Sequence, residues 1–232
     1  GSTTVTDSSS HNRTVTLSGT VNHSTAQSKV GSSSLYVGGG YFEVPHDTVW
    51  NWDNNAPFTM ECYIYMGNTS GETFSHGTSG SWGGLSYGFG FGSQYAKFQG
   101  SPNNSAGTTH NGNGNTYPLN TWFHYACVRH NGYFKMYFDG VEAGSVSDFD
   151  PVDRTTPFKF GRGYQWGSFT GYVDMLRVSN IARYTSNNFT PPTAEILGQQ
   201  TVSATGTLIS DTQTSSVATT KMSGVILYKD NA

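Results

Sequence analysis

Carboxylates are the first residues to consider for chemistry, because most glycoside hydrolases act through a pair of them. A retaining hydrolase needs the two groups about 5 Å apart, a separation that one intervening residue on a β-strand would provide. Glu61 and Asp174 each lie alone in a predicted strand, and the chain contains no Glu-x-Asp-x-x-Glu sequence. It also lacks the His-Glu-x-x-His motif of zinc proteases. The sequence therefore predicts no catalytic residues and a protein that is not an enzyme.

Metal binding is the second candidate chemistry, at an acidic loop that holds Asp148, Asp150 and Asp153. Oxygen ligands at this spacing suit Ca²⁺. The loop lacks the glycine and the distal glutamate of a dedicated calcium loop, so a solvated acidic turn is the default interpretation and Ca²⁺ is the alternative. The histidines are dispersed and show no metal-ligand spacing. We therefore expect the protein to fold without added metal.

Aromatic residues in glycine-rich loops are the third candidate. Trp82 lies in Gly-Ser-Trp-Gly-Gly, and residues 161–168 read Gly-Arg-Gly-Tyr-Gln-Trp-Gly-Ser. Exposed rings of this kind can stack on the apolar face of a sugar, while amide and guanidinium groups bond to its hydroxyls. They can equally anchor their own loops or pack on a neighbouring subunit. The predicted ligand-binding residues are Trp82, Arg162, Tyr164, Gln165 and Trp166.

Polar side chains inside predicted strands have structural interpretations. Asp174 and Arg177 fit an ion pair that involves Arg183 or Arg129, because buried charges are usually paired. His124 alternates with Trp122 and Ala126 and is interpreted as a packing residue whose ring nitrogens are satisfied by hydrogen bonds.

The segment Thr121–Val146 organises the predicted fold. Three runs rich in aromatic and β-branched residues are separated by Asn131-Gly132 and Asp139-Gly140. Both dipeptides favour type I′ turns, which need φ > 0 at two successive residues. The segment is predicted to form a three-stranded antiparallel meander, whose apolar face a second sheet must cover.

A single strand with strict alternation is predicted at Phe58–Met66. Its inward side chains are Phe58, Met60, Cys62 and Ile64, and the opposite, polar and aromatic face carries Thr59, Glu61, Tyr63 and Tyr65. A slip of one residue would place Glu61 in the core, so we expect a firm register. Cys62 and Cys127 lie among apolar neighbours and are interpreted as buried free thiols rather than a disulfide.

Shorter strands complete the prediction. They lie at Thr14–Leu17, Ser33–Val37, Tyr41–Pro45, Thr73–His76, Ser86–Phe91, Tyr95–Gln99, Phe158–Gly161 and Gly171–Ser179. Residues 100–115 are predicted as a loop, because they contain almost no apolar side chain. Asn180–Tyr184 is predicted as one helical turn.

Composition favours an all-β domain and argues against two classes of partner. Only 12% of the 232 residues are charged and 14% are aromatic, a profile typical of short strands joined by polar turns. The net charge of −3 provides no basic surface for nucleic acid. No apolar run approaches the length of about 20 residues that spans a bilayer, so neither nucleic-acid binding nor membrane insertion is expected.

Three regions follow from the distribution of these features. Residues 1–13 form a polar N-terminal segment, and residues 14–192 form the β domain, which ends at Pro191-Pro192. Residues 193–232 are rich in Thr and Ser and too poor in apolar side chains to build a core. They are interpreted as a β-rich extension, the start of a following module.

Four blocks of this sequence resemble laminin-G-like, concanavalin A-type lectin/glucanase domains. The blocks are Leu35–Pro45, Phe58–Tyr65, Asn120–Gly140 with its Asn-Thr-Trp-Phe-His-Tyr start and Phe-Asp-Gly end, and Phe169–Pro192 with Ala-Arg-Tyr and Phe-Thr-Pro-Pro. The last block is similar to the variant found in tailed-phage structural proteins. The resemblance implies an antiparallel two-sheet jelly-roll sandwich, and it raises the expectation of Ca²⁺ at the sandwich rim.

Function is implied by the resemblance only as a tendency, since this fold hosts several activities. The favoured expectation is a non-enzymatic recognition module of a phage virion, in its tail, fibre or capsid decoration, that binds surface glycans. The alternative is a structural module that contacts neighbouring virion proteins; a homo-oligomer is compatible with both. A hydrolase is disfavoured by the missing carboxylate pair. The implied localisation is the virion or the extracellular space.

Overall fold

The computed structural model describes residues 2–52, 55–78, 84–101, 108–163 and 167–194. These ranges hold fourteen strands and one short 3-10 helix, Thr48–Trp50. The strands are β1 (Thr16–Ser18), β2 (Val21–Ser24), β3 (Ser34–Gly38), β4 (Tyr41–Val44), β5 (Phe58–Tyr65), β6 (Gly71–Gly77), β7 (Leu85–Gly92), β8 (Tyr95–Gly100), β9 (Thr108–Thr116), β10 (Phe123–His130), β11 (Tyr133–Phe138), β12 (Val141–Ser147), β13 (Phe158–Phe160) and β14 (Thr170–Ser179).

Two antiparallel seven-stranded sheets form the predicted sandwich, which confirms the fold class. The β7 sheet has the order β1-β4-β13-β6-β7-β8-β9, and the β5 sheet has the order β12-β11-β10-β5-β14-β3-β2. Strands that are neighbours in sequence repeatedly lie in different sheets, as in a jelly roll. The predicted meander is the β10-β11-β12 part of the β5 sheet.

Aromatic rings dominate the core between the two sheets. The ring centroid of Trp52 lies 3.8 Å from that of Phe58 and 4.7 Å from that of Tyr87. Trp50 and Trp52 lie between β4 and β5, outside any strand, yet each is only 6% exposed, because this connection folds into the sandwich. Both cysteines are buried free thiols, as predicted.

The β5 strand shows the predicted alternation and one departure from it. Phe58, Met60, Cys62 and Ile64 point into the core with no exposed surface. Glu61 lies on the opposite face, as expected, but it is fully buried. The burial comes from residues 180–192, here called the closing segment, which pack over this face through Ala182, Tyr184 and Phe189.

Both predicted hairpin turns have the expected backbone. Asn131 and Gly132 have φ of 49° and 79°, and Asp139 and Gly140 have φ of 48° and 80°. His130 pairs with Tyr133 in one hairpin, so two residues form the loop, as in type I′ turns. Asp139 Oδ1 additionally accepts a hydrogen bond of 2.8 Å from the His124 backbone N–H.

Two observed strands lack a predicted counterpart, and one predicted element is wrong. β9 lies in the segment that the sequence predicts as a loop, and β2 is also absent from the predicted strands. Asn180–Tyr184 is not helical. Its backbone is instead fixed by Thr59, whose Oγ1 donates to the Ile181 carbonyl oxygen at 2.9 Å and accepts from the Arg183 N–H at 2.9 Å.

The composition of β9 follows from its contact with the other sheet. Gly112 approaches the Ala143 carbonyl oxygen and Gly144 so closely that a side chain would clash. Asn113 and Asn115 donate from Nδ2 to the Glu142 carbonyl oxygen at 3.0 and 2.9 Å. β9 is an edge strand that packs against the other sheet through glycine and asparagine. Because these residues are typical of loops, the sequence of β9 resembles a loop.

The chain divides into two units, Gly1–Gln199, which contains the sandwich, and Gln200–Ala232. The second unit lies outside the described residues, so the predicted boundary at residues 192 and 193 stays a prediction. Within the described residues, no helix is long and apolar enough to cross a membrane.

Asp139→Ala is expected to lower the free energy of unfolding by about 2 kcal/mol. Loss of an αL-tolerant residue costs about 1 kcal/mol, and loss of the bond to the His124 N–H costs about 1 kcal/mol. Asp139→Asn tolerates φ > 0 and keeps an acceptor oxygen, so its loss should stay within about 0.5 kcal/mol. Urea unfolding at pH 7 measures all of these values.

Asn131→Ala is the matched control, because Asn131 has the same φ sign in the other hairpin. Asn131→Ala should lower the free energy of unfolding only by the conformational contribution of about 1 kcal/mol. Equal losses for Asp139→Ala and Asn131→Ala would show that the side-chain bond of Asp139 adds nothing.

Candidate functional site

Of the predicted ligand-binding residues, Arg162 is described by the structure. Trp82, Tyr164, Gln165 and Trp166 lie outside the described residues, so their roles stay predictions. Arg162 is exposed, and its guanidinium carbon lies 5.4 Å from the ring centroid of Tyr41. Its carbonyl oxygen accepts a 2.7 Å bond from Ser75 Oγ. The loop that holds Arg162 is thus fixed to the outer face of β6.

Beside this loop, the outer face of the β7 sheet carries a buried polar pair, here called the Glu72–Gln99 floor. Gln99 Nε2 donates to Glu72 Oε1 at 2.6 Å, and neither residue has exposed surface. Glu72 lies on β6 opposite Gly90, and Gln99 lies on β8 opposite Gly88. The glycines on β7 leave the space that the pair crosses, since a Cβ at Gly88 would lie 3.1 Å from Gln99 Nε2.

The described residues that flank the predicted aromatic residues are held at this sheet. Gly163 lies against the Glu72 carboxylate with no room for a side chain, and the Glu72 N–H donates to the Gly167 carbonyl oxygen at 3.0 Å. Gly163 and Gly167 are therefore both beside Glu72. The Thr78 N–H donates to the Gly84 carbonyl oxygen at 2.8 Å, so these two residues lie together at the junction of β6 and β7.

The floor is polar but has no exposed surface, so in this structure it does not meet solvent. A carboxylate accepts hydrogen bonds, and an amide both donates and accepts them. Among the residues that the structure describes, Gln99 Oε1 is buried and has no hydrogen-bond partner, and a buried acceptor without a partner carries a desolvation cost. The floor therefore supports the residues that lie on it, Gly163 and Gly167, rather than offering an open surface to a ligand.

Sequence reasoning missed Glu72 and Gln99 as functional candidates. The predicted strands begin at the residue after Glu72 and end at Gln99, so both lie at predicted strand ends without an apparent partner. The available signal was Gly88 and Gly90, which alternate with Tyr87, Phe89 and Phe91. Glycines on one face of a strand indicate close approach of another group.

A second polar cluster surrounds Glu61 beneath the closing segment. Arg177 donates to Glu61 Oε1 from Nε at 2.8 Å and from Nη2 at 2.6 Å. Tyr184 donates its hydroxyl to Oε2 at 2.5 Å, and His124 Nε2 lies 3.0 Å from the same oxygen. Burial raises the pKa of Glu61, but the bonds from His124 and Tyr184 and the charge of Arg177 outweigh it and hold the pKa below its usual value.

The predicted ion pairing in β14 is partly wrong. Arg177 is indeed paired, but its partner is Glu61 rather than Asp174. Asp174 Oδ2 accepts the backbone N–H groups of Lys29 and Val30 at 2.9 and 3.0 Å. A β-bulge between Asp174 and Arg177 on β14 separates the two side chains and turns them to different partners. Sequence spacing does not reveal such a bulge.

The other predicted partners of this ion pair lie elsewhere. Arg183 donates from Nε to Ser179 Oγ at 2.7 Å, at the end of β14. Arg129 pairs with Asp148, with Nε 2.8 Å from Oδ1, and it also donates to the carbonyl oxygens of Trp52 and Phe149. Arg129 therefore has its partners in Asp148, Trp52 and Phe149 rather than in β14.

The three aspartates of the acidic loop have different environments. Asp148 is held by Arg129, whereas Asp150 and Asp153 are exposed. Within the described residues, no group of three potential metal ligands is close enough to hold a metal ion. Calcium binding by Asp148, Asp150 and Asp153 stays a prediction.

Glu61 and Glu72, the buried glutamates among the described residues, do not form a hydrolytic pair. Glu61 and Glu72 are the two fully buried glutamates, and they lie on the outer faces of opposite sheets. Residues 84–88 read Gly-Leu-Ser-Tyr-Gly, which matches the Gly-x-Ser-x-Gly pattern of serine hydrolases. Ser86 lies inside β7, whereas the nucleophile of those enzymes lies on a turn between a strand and a helix.

Comparison with known families decides the classification. The family profile described as the concanavalin A-like lectin/glucanases superfamily matches residues 36–186. The chain belongs to this superfamily. The match covers all four sequence blocks over most of their length and both sheets of the sandwich. No curated protein sequence is significantly similar to the chain.

Several solved structures share this fold at low sequence identity. Domain 4 of AbnA, a GH43 extracellular arabinanase from Geobacillus stearothermophilus in complex with arabinotriose, is 18% identical with a TM-score of 0.54, over 74% of this chain and 83% of that one. The binding domain of botulinum neurotoxin DC in complex with SialylT is 15% identical with a TM-score of 0.55, over 77% and 45%.

The binding domain of Paraclostridial mosquitocidal protein 1 is 11% identical with a TM-score of 0.56, over 75% of this chain and 45% of that one. The chain thus spans less than half the length of both toxin domains. At these identities the similarity shows the shared fold alone.

Glu61→Gln is expected to lower the free energy of unfolding by about 3 kcal/mol at pH 7, because it leaves Arg177 without its charged partner. Glu43→Gln is the matched control. Glu43 is 27% exposed and 3.9 Å from Lys159 Nζ, so its substitution should cost less than about 0.5 kcal/mol. Urea unfolding of both variants measures the difference.

The same variant should change the pH dependence of stability. The folded pKa of Glu61 is lowered, so its contribution is present above the unfolded pKa and is lost as pH falls through the folded pKa. The difference between wild type and Glu61→Gln should therefore shrink below about pH 4.5. A difference that stays constant down to pH 3 would contradict this role of Glu61.

Removal of divalent metal is expected to leave the thermal transition unchanged, because Asp148 is already paired with Arg129. Thermal melts with EDTA and with millimolar CaCl₂ test this. If EDTA lowers the melting temperature and Ca²⁺ restores it, calcium is structural, and Asp150→Asn and Asp153→Asn should then abolish the effect.

Proposed function

We propose that this chain is a non-catalytic carbohydrate-binding module, and that it serves a phage virion as a recognition module for cell-surface glycans. The observation that carries the proposal is the Glu72–Gln99 floor on the outer face of the β7 sheet. The residues that flank the predicted aromatic residues, Gly163 with Gly167 and Thr78 with Gly84, are held at this sheet. The floor is buried, so it would position these loops, while their rings would stack on a sugar and the exposed Arg162 would bond to its hydroxyls.

The relatives support a binding role without fixing it. The arabinanase domain was solved with arabinotriose, and the alignment includes most of that domain. The toxin neighbours are binding domains. Retaining hydrolysis would need a second carboxylate about 5 Å from the first and inverting hydrolysis one about 6.5–9.5 Å away, whereas the two fully buried glutamates among the described residues lie on opposite sheets. The virion role rests on the similarity of the closing block to tailed-phage structural proteins.

The experiment is a glycan array with the isolated protein, followed by titration of each hit. Trp82→Ala and Trp166→Ala should each weaken binding by about tenfold, because each removes the apolar surface on which a sugar ring stacks. Glu72→Gln should also weaken binding, since Glu72 accepts from Gln99 and lies against Gly163, so its loss would shift the loop that begins there. Melting temperatures of all variants should be recorded in parallel.

Trp122→Ala is the matched control. Trp122 is half-buried against Tyr65 at the start of β10, in the other sheet, so its loss should leave glycan affinity unchanged. Unaltered affinity in both Trp82→Ala and Trp166→Ala would overturn the site assignment. A large drop in melting temperature would instead identify these rings as structural. Absence of any array hit would favour the structural virion module.

A further inference from the structure

The outer face of the β5 sheet holds a groove that the proposed function does not use, here called the Tyr133 groove. Its volume is about 190 Å³, and its lining includes Val128, His130, Tyr133, Lys135, Tyr137 and Tyr184. At about 30 Å³ per water molecule, this volume equals about six waters. The groove is therefore large enough for one monosaccharide ring and too small for a longer ligand to be enclosed.

The floor and one wall of the groove are rigid. Val128 and Tyr137 form a floor with 1% of each residue exposed, and the Tyr137 hydroxyl donates to the Ser186 carbonyl oxygen at 3.3 Å. Tyr184 stacks on Phe189, with ring centroids 3.6 Å apart and planes 4° apart, and its hydroxyl is bound to Glu61. A ligand would thus meet a preorganised surface, which lowers the entropic cost of binding.

Tyr133 is the ligand-accessible wall. It is 47% exposed, and it directly follows the Asn131-Gly132 turn, which fixes its backbone. An exposed aromatic ring on a rigid hairpin, beside a concave and partly apolar floor, offers a stacking surface that gains free energy when it is covered.

The charges around the groove favour an uncharged ligand. Lys135 Nζ lies 2.8 Å from Glu142 Oε2 and donates to Asn187 Oδ1 at 2.7 Å. Its positive charge is therefore compensated within the protein. Hydrogen-bonding capacity remains at His130 and at the backbone and amide of Asn131, and these groups suit hydroxyls better than a carboxylate or phosphate.

We propose that the Tyr133 groove is a second carbohydrate subsite, which binds one neutral pyranose ring stacked on Tyr133. It shares a ligand class with the proposed function but none of its residues, and it lies on the other sheet. Binding at one site can therefore be absent while binding at the other is present.

The test uses methyl α-D-glucopyranoside, methyl β-D-galactopyranoside and methyl α-D-mannopyranoside, titrated into the ¹⁵N-labelled chain and followed by amide chemical shifts. At least one glycoside should shift the amides of residues 128–137 with millimolar affinity. Tyr133→Thr should weaken this binding by about tenfold, and the β-branched threonine should keep the strand intact. Tyr133→Ala is a second variant with the same expected loss.

Two control variants test whether the shifts arise from sugar bound in the Tyr133 groove. Tyr95→Thr removes a tyrosine that is 37% exposed on β8 and should leave the shifts at residues 128–137 unchanged. The double variant Trp82→Ala/Trp166→Ala should also retain them, even if array binding is lost. No shifts at 100 mM of any glycoside, equal affinity in Tyr133→Thr, or tighter binding of methyl glucuronoside than of methyl glucoside would overturn the proposal.

Discussion

The buried carboxylate of Glu61 is the constraint on which much of this sandwich depends. An ionised group without exposed surface is stable only when its charge is fully compensated, since unpaired burial costs several kcal/mol. Its donors come from three places: Arg177 on β14, His124 on β10 and Tyr184 in the closing segment. Two neighbouring strands and the final segment must therefore reach their native positions together, which couples the end of the domain to its centre.

Local chemistry was enough to predict the meander and the alternation of β5. Asn131-Gly132 and Asp139-Gly140 impose their turns through backbone sterics alone, and Phe58, Met60, Cys62 and Ile64 follow the pleat. The sequence could not predict that the opposite face of β5 is also buried, because the covering residues lie more than a hundred positions later. β9 was missed for a related reason, since its glycines and asparagines match a neighbouring strand rather than an apolar core.

Of the candidate site, the sequence predicted the aromatic loop residues, and their roles stay predictions. Tryptophans between glycines suggest exposed rings from one sequence alone, whereas the pairing of Glu72 with Gln99 depends on strand register. They lie on strands that flank β7, and only the pairing of Glu72 with Gly90 and of Gln99 with Gly88 brings them together. The bulge that separates Asp174 from Arg177 could not be predicted from the sequence either, because it depends on the partner strand.

The two sheets differ in how their outer faces are covered. On the β5 sheet, the closing segment covers Thr59, Glu61 and Tyr63, with the Tyr63 hydroxyl donating to the Pro192 carbonyl oxygen at 3.1 Å. On the β7 sheet, Gly88 and Gly90 leave the space that the Glu72–Gln99 floor occupies. The two buried polar clusters, around Glu61 and around Glu72, therefore lie on opposite outer faces of the sandwich. Under the proposed function, substitutions in residues 79–83 and 164–166 would change what is bound without disturbing the interactions around Glu61.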